Sequence, residues 1–164
     1  MDRRIVVLLA AASLCISIAA AAHPDGFGLG LMGGDPSGLS IKVWTGGRTA
    51  FDAGLGYSYF RYGQAVHIHG DLLWHTRNML TDDDNGFLPF YIGVGARLKM
   101  ADVGRGYPDT RLGVRIPFGV EYVFPAFPVG LFFELVPVFD LTPWNQWFDW
   151  NSSIGFRYYF SGSN

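Results

Sequence analysis

Hydrophobic and polar residues alternate with a period of two along most of the chain after residue 26, and clusters of turn-forming residues interrupt the alternation. This period is typical of β-strands, because successive side chains of a strand point to opposite faces. No helical periodicity of useful length competes with it. We predict an all-β fold, a single closed antiparallel up-and-down barrel of about eight strands that spans a membrane. The alternation places the strands at residues 27–33, 39–45, 50–60, 64–75, 87–99, 110–124, 129–141 and 148–160.

Two prolines lie inside predicted strands. Pro117 falls in the sixth and Pro137 in the seventh. Proline has no N–H to donate to a neighbouring strand, so it usually marks an edge or a bulge. Barrels use bulges at their rims, and we therefore keep both strands in the prediction.

The sixth predicted strand separates its two faces most clearly. One face carries large apolar residues, namely Leu112, Val114, Ile116, Phe118, Val120 and Tyr122. The other face carries glycine and charge, namely Arg111, Gly113, Arg115, Gly119 and Glu121. A soluble barrel would turn the apolar face inward, whereas an outer-membrane barrel turns it outward to lipid. An eight-stranded barrel has too little internal room for so many large aromatic residues. The pattern therefore favours the outer-membrane arrangement.

The polar faces of the predicted strands carry a balanced set of charges. Buried charges are very costly unless they are paired. We therefore predict an internal ion-pair network that plugs the lumen and blocks continuous water flow. Its acids are Asp52, Asp71, Glu121, Glu134 and Asp140, and its bases are Arg97, Lys99, Arg111, Arg115 and Arg157.

The first 22 residues have the three parts of a secretory signal peptide in order. Arg3 and Arg4 supply positive charge, an apolar run begins at Ile5, and alanines at 20–22 offer a cleavage site before His23. An uncleaved membrane anchor is the weaker alternative, because a spanning helix needs about 20 apolar residues. We predict residues 1–22 as the signal peptide and residues 23–164 as the barrel domain, exported to the bacterial outer membrane.

Removal of the signal peptide changes the charge and the thiol content of the chain. Of the 12 basic and 14 acidic residues, 10 and 13 would remain, a net charge of −3. No basic stripe suggests nucleic acid as a partner. The single cysteine, Cys15, lies inside the signal peptide and follows Leu14 rather than a small residue, which argues against lipidation. The mature chain would then have no disulfide and no thiolate metal site.

The five tryptophans lie near predicted turns, where aromatic girdles of membrane barrels sit at the lipid headgroups. They are Trp44, Trp74, Trp144, Trp147 and Trp150. A tryptophan in a packed core is the alternative. We predict that they mark the two interfaces of the membrane.

Candidate chemistry is sparse. His67, His69 and Asp71 share one strand face and are a weak candidate for a first-row metal site, against the alternative of polar lumen residues bonded to one another. The acidic segment 81–86 lacks the first and last acids of a calcium loop. No motif places a serine beside a histidine, as a nucleophile requires. We expect no enzyme activity and no cofactor.

The last predicted strand resembles the β-signal of outer-membrane barrels, which runs polar, any, glycine, any, any, hydrophobic, any, aromatic. Ser153, Gly155, Tyr158 and Phe160 match its four defined positions. In that family the barrel-assembly machinery recognises the signal, usually with the aromatic as the final residue, whereas four residues follow Phe160 here. With eight strands, the mature chain is similar to the small barrels typified by the transmembrane domain of outer-membrane protein A and by outer-membrane protein X.

The resemblance implies an integral outer-membrane barrel with a structural or interaction role. Its expected partners are outer-membrane lipid and, during biogenesis, the assembly machinery, and we expect a monomer. A lipid-modifying or small-ligand-binding membrane barrel is one alternative, and a soluble periplasmic barrel that holds an apolar ligand is another. With both termini periplasmic, the loops near residues 35–38, 61–63, 101–109 and 142–147 would lie outside the cell.

Overall fold

The computed structural model describes residues 26–60, 63–76, 86–102, 108–124, 126–142 and 147–160. The predicted signal peptide, most of the acidic segment and Trp144 lie outside these residues. The described residues form nine β-strands: β1 (Phe27–Asp35), β2 (Ser37–Gly46), β3 (Thr49–Phe60), β4 (Gly63–His75), β5 (Phe90–Asp102), β6 (Pro108–Arg115), β7 (Phe118–Val123), β8 (Val129–Thr142) and β9 (Phe148–Phe160).

The strands close into an antiparallel ring. Each strand pairs with its sequence neighbours in turn, and β1 pairs with β9 from Phe27↔Phe160 to Asp35↔Ser152. β6 and β7 follow one another along a single position between β5 and β8. The ring therefore has eight positions, and the predicted all-β up-and-down barrel is confirmed. Closure leaves the ring without a free edge, which is what a sheet in lipid requires.

The sixth predicted strand is divided where proline interrupts it. The register against β8 is the same on both sides of the break, since Arg115 pairs with Val138 and Phe118 with Leu135. Between them, the Ile116 N–H donates to the Pro137 carbonyl at 3.1 Å, but Pro137 has no N–H to donate a hydrogen bond back to β6. Pro117 likewise accepts a bond from Gly93 at 2.9 Å and returns none. The predicted strand is therefore divided into β6 and β7 because the two prolines lack N–H donors. The pairing with β8 keeps the same register across the break.

The fifth predicted strand also begins later than expected. Regular pairing starts at Phe90, and Phe87 forms only an isolated bridge to Val123. The Gly46–Gly47 turn between β2 and β3 has positive φ angles of 116° and 62°, which glycine adopts without strain. We call the end of the barrel that holds Phe27 and Phe160 the terminal end and the opposite end the loop end.

The two faces of the wall have opposite character. Within the strands, none of the described exposed side chains is charged, and most are Leu, Ile, Val, Phe, Tyr or Trp. Phe118 and Phe156 are 46% and 47% exposed on the outer wall, whereas Arg115 and Arg157 are 1% exposed in the interior. The apolar face therefore points outward and the charged face inward. No helix in the described part of the chain is long and apolar enough to cross a membrane.

Candidate functional site: the charged lumen

The lumen nearest the terminal end is organised around Arg157 of β9. Its guanidinium pairs with Asp52 of β3, lies 3.4 Å from Glu121 of β7, and donates from Nε to Ser40 Oγ at 2.9 Å. Both carboxylates are buried, so each charge has an opposite charge beside it in a region that excludes water. The ring of Phe132 packs 3.8 Å from the guanidinium carbon, a cation–π contact.

Glu121 also accepts hydrogen bonds from residues other than Arg157. Lys42 of β2 pairs with Glu121 Oε2, and the Tyr159 hydroxyl donates to Oε1. The Lys42 ammonium also donates to His75 Nε2 at 2.8 Å, while His75 Nδ1 donates to the Arg48 carbonyl at 3.2 Å. This end of the lumen is therefore fully bonded around one lysine and one glutamate.

Arg115 of β6 connects strands across the middle of the lumen. Its Nε lies 3.0 Å from both carboxylate oxygens of Asp71 on β4, and its Nη2 donates to Glu134 of β8 at 3.1 Å. Glu134 also accepts the Tyr91 hydroxyl at 3.1 Å. β4, which carries Asp71, does not pair with β6 or β8, so the Arg115–Asp71 bonds cross the interior of the barrel.

The loop end of the network is centred on Arg97 of β5. Its Nη2 lies 2.8 Å from both Asp140 Oδ2 and Asp149 Oδ2. Lys99 lies 3.4 Å from Asp149, and Arg111 lies 4.0 Å from Asp140. Arg97 and Asp140 are buried, whereas Lys99, Arg111 and Asp149 are partly exposed, as expected where the lumen opens.

The Asn151 amide oxygen joins the middle and the loop end of the network. It accepts from Arg97 Nη1 at 3.0 Å and from Arg115 Nη1 at 3.4 Å. Hydrogen bonds thus link the groups from Tyr91 and Glu134 to Asp149, and the terminal-end group adjoins them where the Lys42 ammonium lies 5.0 Å from the centre of the Tyr91 ring. This arrangement fills the interior of the barrel with charged side chains that are held in pairs.

All ten predicted lumen charges face the interior, each within 4.0 Å of an opposite charge. Sequence reasoning missed two others, Lys42 and Asp149. Lys42 alternates with the outward-facing Ile41 and Val43, and Asp149 shares the parity of Arg157 on β9. The period-two pattern could have found both. With them the network has six acids and six bases, so its charge is still balanced.

The predicted assembly residues occupy both faces of β9, the strand that closes the ring. Ser153 and Gly155 face inward, while Tyr158 and Phe160 are exposed on the outer wall. A Cβ at Gly155 would lie 2.6 Å from the Phe132 ring. Glycine is therefore needed at position 155 by the packing around Arg157, independently of any recognition of the strand.

The candidate metal residues do not form the predicted trio. Asp71 is held by Arg115, whereas His67 and His69 stack edge to face with ring centres 5.4 Å apart. Neither ring nitrogen of His67 has a hydrogen-bond partner, nor does His69 Nδ1. Over the described chain, no group of three or more His, Cys, Asp or Glu side chains is arranged to hold a metal ion.

The predicted tryptophan girdle is wrong for Trp44. Its side chain is buried inside the terminal end, 4.3 Å from the His75 ring between ring centres and packed with Ala50, Val123 and Tyr159. Trp44 has the same parity as Lys42, and that parity placed it inside. Trp74 and Trp150 are exposed on the outer wall, as a girdle requires, and Trp147 is exposed just before β9.

A closed eight-position barrel with an apolar exterior and an ion-paired interior defines the architecture of small outer-membrane barrels. No protein-family model matches the sequence, and no curated protein is significantly similar to it. Among solved structures, the chain is similar to the N-terminal β-barrel domain of Pseudomonas aeruginosa OprF, with a TM-score of 0.66. The match covers 83% of this chain and 98% of that domain at 14% sequence identity. The resemblance to barrels like outer-membrane protein A is therefore confirmed for the fold.

Proposed function

We propose that this chain is an integral protein of the bacterial outer membrane, with a structural or interaction role and no catalytic activity. The observation that supports this is the inverted barrel: large apolar side chains face outward all around a closed ring, and charges face inward in pairs. An exposed apolar surface of this extent marks an interaction site or a membrane surface. The strands β3, β4, β5, β8 and β9 have 12–14 residues, more than the roughly 9–11 needed to cross a bilayer.

The alternatives are less well supported. A soluble barrel with an apolar ligand needs an apolar interior, but the described lumen is occupied by ion pairs such as Arg115–Asp71. A lipid-modifying enzyme needs a nucleophile within reach of its base. None of the serine hydroxyls that the structure describes is hydrogen-bonded to a histidine, and the Ser58 hydroxyl is buried without a partner.

Cell fractionation combined with a heat-modifiability gel tests the location. A barrel held in lipid stays folded in detergent until it is boiled, because every backbone donor and acceptor is satisfied within the ring. We expect the chain in the outer-membrane fraction, extracted only by detergent, with a mobility that changes on boiling. Release by osmotic shock without detergent would contradict the proposal.

Planar-bilayer recording tests the plug. With Arg97, Arg115 and Arg157 each bonded across the lumen, no continuous water path is expected, and the purified protein should show no large steady conductance. A useful comparison is Arg115→Gln, which removes the cation between Asp71 and Glu134. If the network closes the lumen, this variant conducts more than the unmodified protein. A large steady conductance of the unmodified barrel would rule out the plug.

The proposal includes a sidedness and an assembly step. We propose that the terminal end faces the periplasm and that the loop end faces the cell exterior, and that Ser153, Gly155, Tyr158 and Phe160 present β9 to the assembly machinery. The assembly step is supported by the resemblance of β9 to the β-signal and by its place as the strand that pairs with β1 to close the ring. The sidedness is supported by the start of β1 and the end of β9 lying together, Phe27 opposite Phe160.

A further inference from the structure

One part of the lumen wall carries glycine in place of charge. In the described parts of β1 to β3 the inward face there is lined by Gly30, Gly38, Gly54 and Gly56. Met32 from β1 and His69 from β4 fill the space over Gly54, and His67 of β4 pairs in register with Gly56. The Met32 methyl lies 2.8 Å and His69 Nε2 lies 2.6 Å from the position that a Cβ on Gly54 would take. Glycine at 54 therefore makes room for a histidine and a methionine side by side.

The two histidines lack the bonds that buried imidazoles normally make. His67 is 0% exposed, yet both its ring nitrogens are without a partner, and His69 Nδ1 is buried in the same state. The large majority of buried side-chain polar atoms in proteins are hydrogen-bonded. His75 on the same strand follows that rule, with both ring nitrogens bonded. The missing bonds of His67 and His69 point to a ligand between them.

The spacing of the rings suits a metal ion. A first-row metal bound to imidazole sits about 2 Å from the nitrogen and hence about 3 Å from the ring centre. Two rings on one ion can therefore have centres up to about 6 Å apart, and those of His67 and His69 are 5.4 Å apart. The Met32 methyl lies beside the His69 ring over Gly54, and the thioether sulfur is one bond further along the same side chain. The available donors are two imidazoles and one thioether, all of them neutral.

The surrounding charge selects the kind of ion. Lys99 pairs in register with His67, and Arg97 with His69, so cations lie on the neighbouring strand. Asp71, the one carboxylate among the three residues first considered as metal ligands, is already bonded to Arg115. Both cations are already paired with carboxylates, Arg97 with Asp140 and Lys99 with Asp149, so the acids of these pairs are not available to a bound ion. Repulsion from the cations grows with the charge of the ion, so a monovalent ion is repelled less than a divalent one, and thioether sulfur favours Cu(I) over harder metals.

We propose that Met32, His67 and His69 form a site for one Cu(I) ion in the lumen. The site goes beyond the membrane role, since it requires only the geometry of β1, β3 and β4. It also explains why this wall carries glycine at 54, where any larger residue would displace the His69 ring.

The test is a competition titration on the full chain, purified in detergent without an affinity tag. Cu(I) is added anaerobically against a coloured Cu(I) chelator, and the same titration is repeated with Zn(II). We expect one Cu(I) per chain and tighter binding than for Zn(II). Copper X-ray absorption should show sulfur together with nitrogen in the coordination shell. A spectrum without sulfur, or no copper bound in competition, overturns the site.

Variants locate the ion. The double variant His67→Gln/His69→Gln should lose binding by more than the roughly 10–100-fold that loss of an outer-shell partner costs. Met32→Leu should weaken binding and remove the sulfur signal. Met100→Leu is its matched control, because Met100 is exposed on the outer wall. A heat-modifiability gel checks that each variant is folded, and the absorption spectrum of the unmodified protein tests the site even if a variant is not.

His23 provides the remaining control. It would become the first residue of the chain after signal-peptide removal, and a terminal histidine can bind copper by itself. Binding retained in His23→Ala with the same stoichiometry supports the lumen site. Binding lost in His23→Ala, or unchanged in the double histidine variant, contradicts it.

Discussion

The outer and inner walls of this barrel are made by alternate residues of the same strands, yet they obey opposite rules. On β8, Phe133 and Leu135 are exposed, while Glu134 between them is 5% exposed and bonded to Arg115 and Tyr91. A water-soluble protein would place these residues the other way round. The comparison shows that the environment on each side of the wall, rather than the strand itself, decides which residue a position can hold.

The largest expected effect comes from breaking the inner wall at its most connected charge. Arg157→Met removes the cation that serves Asp52 and Glu121 and leaves two carboxylates competing for Lys42 alone. Removal of one partner of a buried ion pair costs about 3–5 kcal/mol. We expect the free energy of unfolding in denaturant to fall by about that amount. Arg48→Gln is the control, because Arg48 is exposed in the β2–β3 turn and should change it by about 0.5 kcal/mol or less.

An outcome in which the two arginine variants are equally stable would contradict the picture of a dry, ion-paired lumen. It would mean that water reaches Asp52 and Glu121 freely. Such a result would also predict a measurable conductance, so the unfolding and bilayer experiments check one another.

The outer wall is tested by placing a charge at two depths of one strand. Leu135 lies near the middle of β8 and Leu141 near its loop end, with similar exposed fractions of 43% and 49%. In a membrane barrel, arginine costs about 2–4 kcal/mol at the bilayer midplane and about 0–1 kcal/mol near the interface. We expect Leu135→Arg to destabilise the folded barrel in lipid vesicles by the larger amount and Leu141→Arg by the smaller. Equal effects would show that this wall faces water.

Much of this fold could be predicted from period-two alternation, because alternation reports directly on the two faces of a strand. That rule puts Arg115 and Phe118 on opposite faces, and the limited room inside an eight-stranded barrel decides which face points outward. Lys42 and Asp149 obey the rule as well, since each lies on the inward-facing positions of its strand. The rule also holds for Trp44, which lies inside as its parity requires; what failed was the expectation that a tryptophan near a turn lies at a membrane interface.

Other features depend on which strands become neighbours in space, and no single-strand pattern contains that. Asp71 was grouped with His67 and His69 because all three share one face of β4. Its partner, Arg115, comes from β6 across the lumen. Met32 approaches the histidines only because β1 to β4 are consecutive in the ring and the residues between are glycine. Long-range pairing of this kind is visible only in the structure.

A comparison of two exposed aromatic residues of β9 distinguishes a role in assembly from general contact with lipid. Phe160 occupies the last defined position of the β-signal pattern, whereas Phe156 occupies a position where any residue is allowed, and the two are 40% and 47% exposed. We expect Phe160→Ala to slow folding into vesicles that contain the assembly machinery severalfold, with Phe156→Ala close to the unmodified rate. Equal rates for the two variants would argue that β9 carries no recognition signal.

The smallest expected effect concerns His67, whose buried ring nitrogens have no hydrogen-bond partner although the charges of the inner wall are paired. In copper-free buffer, His67→Leu should raise the free energy of unfolding by about 1 kcal/mol, because a buried polar group without a partner costs about 1–3 kcal/mol and leucine has no such group. His75→Leu is the matched control and should lower stability by a similar amount, since it removes the acceptor for Lys42 and the donor to the Arg48 carbonyl. Added Cu(I) should then stabilise the unmodified barrel, by mass action on the folded state, and leave His67→Leu unchanged. If His67→Leu destabilises the copper-free barrel as much as His75→Leu does, the His67 imidazole is hydrogen-bonded to water. Every buried polar side chain of the inner wall that these variants probe would then have a partner.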